Sequence, residues 1–138
     1  MNVPLEINRL PHQPPMRWIR TATRTVDDEV VAEAIVPEAC GQDGATNALL
    51  GLEILAQAAG VLLAAETEMA GTPVEGRLLQ VTRARWDKEE LPIGTRLRAK
   101  VKWLTGSAIG LHHFFGTLSL DGEGNLLEAE FSLLTPTE

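Results

Sequence analysis

From Ala48 to Ala65 the chain carries a single charged residue, Glu53, within "LGLEILAQAAG". Apolar side chains fall on every face of this stretch when it is wound at helical period, so the helix must be enclosed on most sides. Its length approaches that of a membrane span. Glu53 and Gln57 near its middle, its many alanines and its lack of basic flanks argue instead for a helix enclosed by protein, with no membrane insertion. The turn cluster "GQDGATN" precedes it, and Thr46 or Asn47 is the expected helix cap. Gly71 and Pro73 are expected to end the helix near Ala70.

Such a helix needs a partner with an apolar face, and the rest of the chain supplies strands. In "TRLRAKVKW", Leu97, Ala99, Val101 and Trp103 alternate with Arg96, Arg98, Lys100 and Lys102, which predicts one core face and one wet face. The same alternation aligns Val30, Ala32, Ala34 and Val36 in "EVVAEAIV", and Leu127, Ala129, Phe131 and Leu133 in "NLLEAEFSLL". Further strands are predicted near 17–24, 78–86 and 108–120, with turns at "VDDE", "LPIGT", "LTGS" and "DGEGN". The outline is two strands, one long helix and four strands. Short connections favour antiparallel neighbours, and only the helix is large enough to cover the sheet. The expectation is one α+β domain over residues 1–138, its helix wrapped by a curved antiparallel sheet of about five to six strands.

Charge and cysteine content narrow the function. The net charge of −7 repels phosphate backbones, so nucleic acid is not an expected partner. Cys40 is the one cysteine, and "MNVPLEINRLPHQPP" lacks the charged and apolar regions of a secretion signal, so a reduced, cytoplasmic protein is expected. No phosphate-cradling glycine loop and no metal-ligand spacing is present, and neither a metal nor a cofactor is expected.

Several segments resemble one family. "LPHQPPM" at Leu10 to Met16 is similar to the segment that opens 3-hydroxyacyl-acyl-carrier-protein dehydratases of the hot-dog fold. "LEILAQAAG" resembles their central-helix signature, and "ARW…LPIGTRLRAKV" and "GTLSLDGEGNLLEAEF" resemble their last strands. Through "LPHQPPM" and "LPIGTRL" the chain looks nearest the divergent dehydratase-like subfamily of aryl-polyene pathways. The resemblance implies a dimer, with itself or with another hot-dog protein, acting on an acyl-carrier-protein or coenzyme A thioester.

It also implies roles. Glu53 would be the catalytic carboxylate and Gln57, four residues on and on the same helix face, its neighbour at the substrate. Burial disfavours the charged form of a carboxyl group and suits it to donate a proton to a departing hydroxyl. Backbone N–H groups at Thr46, Asn47 and Ala48 would face the thioester oxygen at the helix N-terminus. Read from periodicity alone, Glu53 can equally be a structural residue that bonds a turn or a partner chain.

The base departs from the family pattern. Where a histidine is expected before the helix, counting back from Glu53 gives Ala39 or Cys40, and no histidine lies between residues 13 and 111. His12 is the leading substitute, its alternative being a turn residue bonded to backbone near the prolines. His112 and His113 lie on opposite faces of one strand, one of them inward, and both read more simply as core or surface residues. Asp43 fits a turn or cap, and Cys40 a small buried residue. The face carrying Arg83, Arg85 and "RLRAKVK" can meet an acidic carrier or a phosphate, or be merely solvated. Two further functions stay open, a hot-dog thioesterase that needs no histidine and a catalytically weak partner subunit.

Overall fold

The computed structural model describes residues 3–5, 19–26, 28–35, 45–47, 51–65, 77–86, 90–92, 94–106, 110–120 and 124–134. In chain order the elements are β1 Val3–Pro4, β2 Ile19–Val26, β3 Glu29–Ile35, β4 Ala45–Asn47, α1 Gly51–Ala65, β5 Arg77–Trp86, β6 Glu90–Pro92, β7 Arg96–Gly106, β8 Leu111–Leu120 and β9 Asn125–Leu134. Seven strands form one antiparallel sheet in the order β1-β2-β3-β7-β8-β9-β5, and β4 pairs with β6 beside it.

Alternation in the sequence becomes two faces in the sheet. Along β7, Leu97, Ala99 and Val101 are buried while Arg96, Arg98, Lys100 and Lys102 are exposed. Register carries the inner face across the sheet: Ala32 stands opposite Ala99 and Ala99 opposite Leu118, while Phe114 stands opposite Phe131. Small residues on β3 and β7 leave room for the helix, which contributes Ile54, Leu55, Ala58, Ala59, Val61 and Leu62 to the same core. Each large side chain buried this way stabilises the fold by about 1.5–3 kcal/mol.

Two glycines fix how closely helix and sheet approach. A Cβ on Gly51 would lie 2.9 Å from a Leu118 methyl and 3.1 Å from a Leu127 methyl. A Cβ on Gly116 would come within 3.1 Å of Leu55. The first helical turn therefore sits directly over Leu118 and Leu127, and Leu55 fills the gap that Gly116 leaves in β8.

The chain order of strands is not their spatial order. The "LPIGT" turn, with Gly94 at φ 83°, joins β6 to β7, whereas β5 crosses to the far edge and pairs with β9. Short connections favoured neighbours, and for β7, β8 and β9 that holds. For β5 it fails, because its apolar residues match those of β9: Val81 faces Phe131 and Ala84 faces Ala129. Among the described residues no helix is long and apolar enough to cross a membrane.

Candidate active site

Glu53 lies in the first turn of α1 and is partly exposed, although the helix around it is otherwise built into the core. Gln57, one turn further, is 1 % exposed. Its amide is thus closed off in this chain, while Glu53 is only partly buried.

Thr46 and Asn47 are not in the first turn: they belong to β4, opposite Leu91 and Glu90, and the helix described begins at Gly51. Their backbones pair with β6, and residues 48–50, between β4 and the helix, lie outside the described residues. Ala48, Cys40 and Asp43 lie outside the described residues, as does His12.

The other two histidines are far from Glu53. Gly51 packs on Leu118, and six residues of β8, about 20 Å of strand, separate Leu118 from His112. With Glu53 two residues beyond Gly51, neither His112 nor His113 reaches it within the chain. His112 shares its face with Phe114 and lies edge-on to Trp103 at a centroid distance of 5.2 Å. Burial, and next the charge of His113, lower its pKa from the ordinary histidine value of 6.5. Trp103, Phe114 and Phe131 stack in sequence at 6.1 and 5.6 Å, so this end of the sheet is an aromatic core. His113 points outward, and its Nδ1 lies 2.7 Å from the Ser132 hydroxyl. Ser132 is 1 % exposed and stands opposite His113 in the register of β8 and β9.

The outer face is charged in stripes. Arg83 donates to Glu130 at 2.8 Å, and Lys100 lies 3.8 Å from Glu29. Arg85 stands opposite Glu128, and Arg98 opposite Glu33. The basic residues of β7 and β5 are therefore largely interleaved with carboxylates of β3 and β9.

This arrangement, a carboxylate at the head of a helix wrapped by an antiparallel sheet, can be set beside known proteins. The family model ApeP-like, described as ApeP dehydratase, matches residues 6–138. The chain belongs to the ApeP-like family. No curated protein sequence matches this ApeP-like chain. Among solved structures, it is similar to the dehydratase heterocomplex ApeI:P from Xenorhabdus doucetiae, with TM-score 0.81 and 23 % identity over 95 % of this chain and 90 % of that one. A mutant thioesterase from Pseudomonas aeruginosa gives 0.64 at 14 % identity, covering 86 % and 81 %. A hypothetical thioesterase from Streptococcus pneumoniae, solved with coenzyme A, gives 0.61 at 14 % identity, covering 85 % of each. The fold of this ApeP-like protein is the hot-dog fold.

Proposed function

We propose that the chain dehydrates 3-hydroxyacyl thioesters carried on an acyl-carrier protein or coenzyme A, with Glu53 as the acid, within a dimer of hot-dog subunits. The observation that carries this reading is the placement of Glu53: the one carboxyl group of α1 sits in its first turn, at a partly exposed position. A base removes a proton from the carbon beside the thioester carbonyl, and the electron pair forms the new C=C bond as the C–O bond to the hydroxyl breaks. Glu53 protonates the departing hydroxyl, which leaves as water, and the proton on the base then returns to Glu53. N–H groups of the first helical turn take the role expected of Thr46, Asn47 and Ala48, stabilising negative charge on the carbonyl oxygen. Gln57, closed off beneath Glu53, serves to hold that turn in place.

His12 is the proposed base of this chain. A second reading gives the base to a partner subunit. It is favoured by the similarity to a dehydratase heterocomplex and by the edge position of β5, beyond which the sheet has no further strand among the described residues and where Val81 and Ala84 are half-buried. The test follows conversion between 3-hydroxyacyl and 2-enoyl thioesters by the chain alone and with a second hot-dog protein, in native, Glu53→Gln and His12→Asn forms. Loss of activity in both variants of the chain alone supports the first reading. Activity that needs the second protein and ignores His12→Asn supports the other. Release of free thiol without enoyl product makes the chain a thioesterase.

A further inference from the structure

Each strand of the sheet turns one set of side chains toward α1 and the other set away from it. On the outward side one cross-strand row runs Glu29, Lys102, Phe115, Glu130 and Arg83, on β3, β7, β8, β9 and β5 in turn. Their neighbours along the strands, Val30, Val101, Phe114, Ala129 and Phe131, are buried in the core, which fixes the side to which the row points. Arg83 is held on that side by its ion pair with Glu130. Across the sheet the row reads carboxylate, cation, aromatic ring, carboxylate, cation.

This order has a symmetry property. Reversed end for end it becomes cation, carboxylate, ring, cation, carboxylate, so every charge meets its opposite and the ring meets itself. A two-fold axis along β8, lying between two such faces, performs that reversal. Lys102 of one copy then lies over Glu130 of the other and Glu29 over Arg83, and the two Phe115 rings meet at the axis. The next row repeats the central pairing, with Lys100 over Glu128 on either side of Thr117. A face suited to an acidic partner would carry cations alone, whereas this order complements itself.

Other features of the face agree. Leu104 and Leu134 are the exposed large apolar side chains among the described residues, at 47 % and 38 %. They lie on β7 and β9, either side of β8 and toward the same end, so the same axis brings Leu104 of one copy to the side of Leu134 of the other. Lys102 forms no ion pair among the described residues, and the half-buried Phe115 lines a shallow hollow with Lys100 and Thr117. Five strands, four of them ten or eleven residues long, present a face of roughly 20 Å by 30 Å, comparable with the ~800 Å² per partner that a specific interface buries. The net charge of −7 opposes association at long range, but salt screens it beyond about 8 Å, and facing side chains meet within that distance.

We propose that the outer face of the sheet binds a second copy of this chain across a two-fold axis along β8, with contacts between Lys102 and Glu130 flanking Phe115. The contact uses no residue of α1 and does not depend on the thioester reading. It also leaves the backbone edge of β5 free for another subunit.

The test is sedimentation velocity of the full chain with charges reversed, at one protein concentration. Lys102→Glu sets carboxylate over carboxylate and Glu130→Lys sets cation over cation, so each variant should sediment with half the number of copies found in the native particle. Mixing the two variants in equal amounts should restore the native size, because an acidic centre then meets a basic one. Phe115→Asp, at the axis, should also halve it. All three positions are on the outer face, and an unchanged circular-dichroism spectrum shows that each variant is folded. A native particle no larger than those of the folded variants, or a mixture of the two charge variants that stays at half size, would overturn the proposal.

Discussion

The two ends of the sheet's inner face are built for different work. At one end the head of α1 packs on Leu118 and Leu127, with Glu53 partly exposed. At the other, Trp103, Phe114 and Phe131 stack in sequence, with His112 edge-on to Trp103. The two titratable groups therefore differ in setting: Glu53 is partly exposed in the first turn of the helix, and His112 sits where burial disfavours the charged form. A titratable side chain on an inner face is not by itself a catalytic one.

The largest contrast should appear in activity. Glu53→Gln keeps size and hydrogen bonding but removes the transferable proton, and initial-rate assays of thioester dehydration should show a loss of roughly 10²- to 10⁴-fold. His112→Ala and His113→Ala should stay within a few-fold of native. Stability should show the reverse. Phe114→Ala opens a cavity in the aromatic stack and should cost about 3–5 kcal/mol in denaturant unfolding, whereas Glu53→Gln should be close to neutral.

The pH dependence separates the ends again. The folded pKa of His112 lies below its unfolded value, so the unfolded state binds more protons, and stability rises with pH through this group. Its contribution is present above the ordinary value of 6.5 and is lost as pH falls through and below it. Unfolding midpoints measured from neutral to mildly acidic pH should therefore fall more steeply in the native protein than in His112→Phe. A smaller effect is expected at the buried Ser132, where Ser132→Ala removes the hydroxyl bonded to His113 and should cost about 1 kcal/mol with activity unchanged. Arg83→Ala, breaking an exposed ion pair, should cost less than about 1 kcal/mol.

Much of this division is legible in the sequence, because periodicity reports faces. The alternation of Leu97, Ala99 and Val101 with Arg96, Arg98 and Lys100 predicts which side of β7 is buried, and the uncharged run around Glu53 predicts the enclosed helix. Levels along the sheet are another matter. That Gly51 lies over Leu118, six residues from His112, depends on cross-strand register and on a helix placed by Gly116, neither of which leaves a local signal. The same limit explains β5, whose place beside β9 is set by matching apolar faces far apart in sequence. It explains Thr46 and Asn47 too: their side chains suit a cap, but pairing with β6 is non-local.

The family resemblance led to Glu53 through a motif and left its base open. His12 is outside the described residues, and His112 and His113 are at the wrong end. The most direct test of the division is dehydration of one 3-hydroxyacyl thioester by the assembled protein, with Glu53→Gln and the His112→Ala/His113→Ala double variant measured side by side. The expected result is near-complete loss in the first and near-native rates in the second; retained activity in Glu53→Gln, or its loss in the folded histidine double variant, would contradict the account.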